Sequence, residues 1–249
     1  MKLCLTSLRS AGWRPVGALL CALAGFAAWA SPAEALVNGQ IDNFEDGTTD
    51  FWGIGGAAPP GSLINVATGG PAGVGDHFLQ LTADGNGAGG RLVSFNQAQW
   101  LGNYTLAGVN AIEMDLKAFS FTGSSSLNIR IAFRSATGNG AAPGYVSAVA
   151  LTLVAAGQWH HIVFSFASFV PINSPPPLAT LLTNPAELRI INAASPNTLL
   201  GDNIIGVLGV DNIHAIPEPG TAAAVVALAA LAIVCCRCGN SKLEVRNSK

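Results

Sequence analysis

Residues 112–118 read Ile112-Glu113-Met114-Asp115-Leu116-Lys117-Ala118, and residues 127–134 read Leu127-Asn128-Ile129-Arg130-Ile131-Ala132-Phe133-Arg134. Successive side chains of a strand point to opposite faces, so strict apolar–polar alternation marks half-buried β-strands. Glu113, Asp115 and Lys117 then share one face of the first strand, and Arg130 and Arg134 point outward from the second. Gly123-Ser124-Ser125-Ser126 joins the two. So short a connection favours an antiparallel hairpin. The expectation is opposite charges paired across a solvated face, each pair contributing at most about 1 kcal/mol.

The same pattern extends in both directions. Strands are expected at 63–67, 77–83, 91–96, 145–154, 159–166, 187–192 and 205–215. Turn-forming clusters separate them, among them Gly69-Gly70-Pro71, 84–90, 138–144 and 174–177. No amphipathic helix or internal repeat is evident between residues 36 and 216. Many short strands with Gly/Pro turns specify an all-β chain, here a jelly-roll sandwich of eight or nine strands.

The two ends have a different composition. The chain has 249 residues, 50% hydrophobic and only 10% charged, and much of the apolar excess is terminal. Lys2, Arg9 and Arg14 precede or border an apolar run at 16–28, followed by Ala28-Trp29-Ala30 and Ala33-Glu34-Ala35. That order reads as a secretory signal peptide over 1–35, a helix cleaved after Ala35. Residues 36–216 form the domain. They carry five Lys/Arg and eleven Asp/Glu, a net charge of −6. With no basic patch to neutralise phosphates, nucleic acid is excluded as a partner. All five cysteines lie outside it, at 4, 21, 235, 236 and 238. An exported domain without disulfides needs another way to tie down its loops.

The chain closes on Pro217-Glu218-Pro219, Gly220, an apolar run at 221–234, then Arg237 and Lys242. This order resembles the PEP-CTERM sorting signal of exported Gram-negative proteins, here over 217–249. The resemblance implies a short C-terminal hydrophobic helix as a transient membrane anchor. It also implies an exosortase-type protease as partner and a destination at the cell envelope, the surface or the medium. The apolar run is shorter than the roughly 20 residues of a stable membrane span. The basic cluster is thin, and Cys235-Cys236-Arg237-Cys238 is a departure that suits lipidation.

A second resemblance covers the domain. Asn43-Phe44-Glu45-Asp46-Gly47 opens it, Gly75-Asp76-His77-Phe78 follows, and Gly209-Val210-Asp211-Asn212-Ile213 closes it. The layout is similar to carbohydrate-binding-module-like jelly rolls of the galactose-binding type. In these a structural calcium often joins the first and last strands. The matching positions are Glu45, the carbonyl of Gly47 and Asp211, with Asp76 a further candidate. Hard oxygen donors of this kind suit Ca2+. Read without the resemblance, Glu45 and Asp46 cap a turn and Asp211-Asn212 ends a strand.

Sugar sites combine aromatic platforms with polar groups. Trp52, Trp100, Tyr104 and Tyr145 stand near turns and are the expected platforms for an extracellular polysaccharide. Arg130 is the expected hydroxyl partner if the polar face binds sugar. Trp159, Phe133, Phe164 and Phe166 are expected in the core. Gly85-Asn86-Gly87-Ala88-Gly89-Gly90 matches a dinucleotide fingerprint, but a strand follows it where that site needs a helix. His160 and His161 are adjacent and face opposite sides of a strand, so they do not chelate one ion. No Ser nucleophile context and no cleft-forming carboxylate pair is present. The sequence therefore describes an exported, surface-sorted, non-catalytic protein of the cell envelope or extracellular polymer matrix with a carbohydrate-binding-like β-sandwich. The alternative is a structural or adhesive matrix protein without a sugar site, and a glycan-active enzyme is the least supported option.

Overall fold

In the computed structural model, described residues run from 36 to 217, apart from 56–57, 88, 138–141 and 155–156. The expected signal helix and hydrophobic C-terminal helix lie outside them. Among the described residues no helix is long and apolar enough to cross a membrane.

Two antiparallel sheets form a jelly-roll sandwich. The six-stranded sheet runs β10 (His160–Ser165), β6 (Val109–Thr122), β13 (Ile205–Pro217), β4 (Phe78–Asp84), β3 (Leu63–Val66), and β1 (Ile41–Asp42) also pairs with β13. The seven-stranded sheet runs β11 (Phe169–Ile172), β8 (Gly144–Ser147), β7 (Leu127–Arg134), β12 (Glu187–Asn192), β5 (Val93–Asn96), β2 (Trp52–Gly53), with β9 (Leu151–Leu153) beside β7. A single α-helical turn, α1 (Leu178–Leu181), and a 3-10 turn at Phe166–Ser168 are the only helical elements described.

The alternating segments form strands as expected, but the hairpin does not form. β6 pairs with β10 and β13, whereas β7 pairs with β12, β8 and β9. The link at Gly123–Ser126 therefore crosses from one sheet to the other. Met114, Leu116 and Ala118 of β6 share one core with Leu127, Ile129, Ile131 and Phe133 of β7. A hairpin would align the two apolar sets side by side in one sheet; crossing sets them in separate sheets around a shared core. Glu113 and Asp115 are consequently not partnered by Arg130 and Arg134.

The second face of β7 is buried too. Ala132, Val146, Ile191, Ala193 and Leu199 form a smaller cluster, with Val93, Val170 and Ile172 packed against it. The segment 193–201 is held there by arginines. Arg130 donates from Nε to the carbonyl of Ala193 (3.0 Å) and from Nη1 to those of Ser147 (2.9 Å) and Ala148 (2.5 Å). Arg189 donates to the Leu199 carbonyl (3.1 Å) and Arg91 to that of Gly201 (3.1 Å). Arg134 and Arg189 both engage the buried carboxylate of Glu187, Arg134 at 2.9 Å, and Gln97 donates to its other oxygen at 2.7 Å. A buried ion group of this kind survives only because its hydrogen bonds are supplied. The outward arginines of the sequence reading are thus interior struts beneath a covering segment.

β11 was hidden by Pro171. Proline removes a ladder donor and is tolerated in a sheet mainly at an edge, and β11 is the terminal strand of its sheet.

Candidate functional site

One sheet face remains open. On β6, Glu113, Asp115, Lys117 and Phe119 point away from the core and are partly exposed. The flanking strands set His161 opposite Asp115 and His214 opposite Glu113. His214 Nδ1 lies 2.7 Å from Glu113 Oε1, and His161 lies 3.4 Å from Glu113 Oε2 and 3.1 Å from Asp115 Oδ1. Asn212 donates from Nδ2 to Asp115 Oδ2 at 2.9 Å. Three neighbouring strands therefore supply a row of carboxylate, imidazole and amide groups. Such groups both accept and donate hydrogen bonds.

Beside this row lies an aromatic group. Phe78 stacks on Phe119 with centroids 5.3 Å apart, and Trp159 meets Phe78 and Phe119 edge-on at 5.4 and 6.4 Å. Lys117 Nζ sits 4.6 Å from the Phe119 centroid and 5.8 Å from that of Trp159. Gly209 of β13 makes room for the rings. A Cβ there would stand 2.8 Å from both Phe119 Cε2 and Trp159 Cη2. Trp159 is therefore not a core residue. Its indole N–H donates to the carbonyl of Gly69 (3.0 Å), and the ring remains partly exposed. Phe133, Phe164 and Phe166 are buried as expected. No local signal distinguished Trp159 from them, because its position depends on Gly209 and Phe119 in other strands.

The aromatic residues expected as platforms lie inside. Trp52 and Trp100 donate their indole N–H groups to the same oxygen, Asp42 Oδ2, at 2.7 and 2.6 Å. Gln99 Nε2 reaches both oxygens of that carboxylate at 3.2 Å. Tyr104 is buried and donates to the Trp100 carbonyl at 2.7 Å. Tyr145 is nearly buried and donates to the Pro176 carbonyl at 3.0 Å. Arg130 is occupied by the main-chain carbonyls described above. None of the five presents its ring or guanidinium to a ligand, because each polar atom that a sugar would use serves the fold.

Of the expected calcium donors, Asp211 is buried, and burial is the main reason its pKa rises to about 7; the nearby Asp76, Asp115 and Glu45 push it the same way. Asn212 N–H donates to it at 2.7 Å and opposes the rise. Glu45 is exposed and accepts from His77 N–H at 2.9 Å. Gly47 closes a turn by donating to the Phe44 carbonyl at 3.1 Å. Among the described residues, no three His, Cys, Asp or Glu side chains are placed to hold a metal ion by themselves. A separate cavity of about 490 Å³, lined by Val109, Phe166, Leu178 and Leu182 with Thr105, Asn110 and Ser165 among its polar lining, contains no titratable side chain.

No protein-family model and no curated protein matches the sequence. Among solved structures, the chain is similar to the family 11 carbohydrate-binding module of Clostridium thermocellum in complex with a β-1,3-1,4-mixed-linked tetrasaccharide. The identity is 22%, over 74% of this chain and 98% of that one, with a TM-score of 0.45. It is also similar to the CBM22-1 xylan-binding domain of Paenibacillus barcinonensis Xyn10C (15% identity, 74% and 99% covered, TM-score 0.41). A third is the K1 cleaved adhesin domain of Lys-gingipain from Porphyromonas gingivalis (14% identity, 73% and 99% covered, TM-score 0.41).

The Asp42 node has a measurable pH signature. Burial raises its pKa to about 6, against the lowering effect of the Trp100, Trp52 and Gln99 hydrogen bonds. The folded protein therefore holds this proton where the unfolded chain has released it. Stability contributed by the group is full below about pH 4 and lost as pH rises to about 6, an effect of about 3 kcal/mol. Urea unfolding of wild type and Asp42→Asn between pH 4 and 8 should show a fall across this window in the wild type. The variant keeps an amide oxygen for both indoles but turns its NH2 toward the Gln99 Nε2 donor, so it should be less stable overall and lose that part of the slope. An unchanged slope would remove Asp42 as its source.

Proposed function

We propose that the protein is an exported, non-catalytic, carbohydrate-binding-like domain of the cell envelope or extracellular polymer matrix. Its glycan-contact surface is the outer face of the six-stranded sheet. One observation carries this reading: segment 193–201 packs on the outer face of the seven-stranded sheet, while among the described residues the other outer face is uncovered and carries a partly exposed aromatic group beside a row of polar side chains. A sugar presents an apolar C–H face and hydroxyls, and such a surface answers both. No step of bond cleavage is assigned to Glu113 or Asp115, whose oxygens are engaged by His161, His214 and Asn212.

Native affinity electrophoresis in gels containing β-glucan, xylan, galactomannan or alginate tests it. Asp115→Ala, Lys117→Ala and Trp159→Ala should each weaken retention by about tenfold, or ~1.4 kcal/mol. The two charge variants should melt within a few degrees of wild type, since partly exposed pairs contribute at most about 1 kcal/mol. Wild-type protein that none of these gels retains would leave the matrix-spacer function instead.

Sorting through an exosortase-type protease belongs to the same reading. It is supported by Pro217-Glu218-Pro219, the first residue of which ends β13 opposite Val109. A proline here ends the ladder. Intact mass of the surface-exposed form should exclude residues 221–249; a mass that retains them would indicate a permanent anchor.

A structural Ca2+ at Asp211 and Glu45 completes the proposal, supported by the buried, acid-surrounded carboxylate of Asp211. Bound calcium would neutralise that charge and tie the opening turn to the last strand. At free calcium 100 times the dissociation constant, the wild type should gain about 2.7 kcal/mol over protein in chelator. Asp211→Asn should lose the gain. Equal melting of the wild type in calcium and in chelator would overturn the site.

A further inference from the structure

Phe51 is the most unusual exposed apolar residue of the domain. It is 77% exposed, while its neighbour Trp52 is 3% exposed. Asp50 and Phe51 are consecutive non-glycine residues in the left-handed region, with φ of 48° and 57°. A bulky residue seldom adopts that conformation, and glycine would do so without cost. Strained backbone persists where the surroundings over-determine it, and such positions cluster at functional sites.

The surroundings here are specific. The carbonyl of Asp50 accepts from Asn96 Nδ2 (2.9 Å) and Gln99 Nε2 (2.7 Å). On the other side, Trp52 N–H donates to the Thr49 carbonyl (2.8 Å), and its indole is fixed by Asp42 (2.7 Å). Asn65 holds the Thr48 carbonyl at 2.7 Å. The backbone on both sides of Phe51 is thus fastened to the interior, and the ring is held outward. Burial gains nothing from this ring, so packing does not account for a phenylalanine where glycine fits better.

We infer that the Phe51 loop is a second contact point for neutral polysaccharide, separate from the open sheet face; this rests on the carbohydrate-binding reading. The chemistry around the ring selects the ligand. Asp50 precedes it in the chain, and the Thr48 hydroxyl lies 3.1 Å from the Asp50 carboxylate and 3.0 Å from that of Asp46 in the same loop. With Glu45 they make the loop acidic. Anionic glycans and anionic bilayers are repelled by such a loop. A protein or lipid partner also needs a contiguous apolar area rather than one ring. A pyranose needs one ring for its C–H face and acceptors for its hydroxyl protons, which Asp46 and Asp50 provide. Binding energy stored as a fixed ring conformation lowers the ordering cost of a weak contact.

The test uses the full chain in affinity gels containing β-glucan, xylan or galactomannan, with alginate as the anionic comparison. Phe51→Ala and Phe51→Gly should lose about fivefold or more of the wild-type retention in a neutral gel, and Phe51→Trp should keep it. Phe51→Gly should melt no lower than wild type, which a merely structural phenylalanine would not allow. Wild-type retention left unchanged in Phe51→Ala and Phe51→Gly, while Asp115→Ala reduces it, would overturn this site and leave the sheet-face site intact. Retention by alginate above that by every neutral polysaccharide would overturn the assigned ligand class. No retention in any gel would overturn both sites together.

Discussion

A single buried carboxylate joins the two halves of the sandwich. Asp42 lies on β1, which belongs to the six-stranded sheet, and it accepts from Trp52 on β2 of the seven-stranded sheet and from Trp100 and Gln99 in the turn after β5. A domain whose cysteines all lie outside residues 36–216 has no covalent staple between sheets. Three N–H groups converging on one acid provide the cross-link by hydrogen bonding. The cost is a carboxylate that burial drives toward its neutral form. The same node fixes Trp52, and through Gln99 it fixes the loop that carries Phe51.

The sandwich is asymmetric in what it offers outside. One sheet spends its outer face on packing, with arginines reaching through to the carbonyls of a covering segment. The other leaves its outer face open among the described residues, with Glu113 and Asp115 hydrogen-bonded to His161 and His214. The acidic character of the domain, −6 over residues 36–216, adds a general repulsion toward polyanions.

Alternation made many strands legible: β7 and β12 match their expected bounds and six others differ by a few residues at an end, but the strand expected at 145–154 is two, β8 and β9, and β1, β2 and β11 were not expected. Alternation did not reveal which sheet a strand joins. Arg130 and Arg134 alternate with apolar residues as solvent-facing groups would, yet the face they share is covered by residues 193–201, more than 50 positions later in the chain. The expected sugar platforms were aromatic residues near turns, and turns proved a poor guide to exposure. Trp52 and Phe51 are adjacent, and two left-handed φ angles decide which of them faces water. Trp159 became a surface residue because Gly209 leaves space above another strand. The His161–Glu113–His214 row is likewise a product of cross-strand register, invisible while each histidine is considered alone.

β13 is an interior strand of its sheet, paired along one edge with β6 and along the other with β4 over 205–210 and β1 at Ile213 and His214, and it ends at Pro217. If residues beyond Pro217 are fastened to a surface, any drag on the domain is delivered along the axis of this strand. A strand held along both edges and pulled lengthwise is loaded in shear, so its ladder bonds share the load instead of opening one after another. An edge strand or a hairpin tip at the same exit would peel. The placement of β13 thus suits the domain to resist tension applied through Pro217.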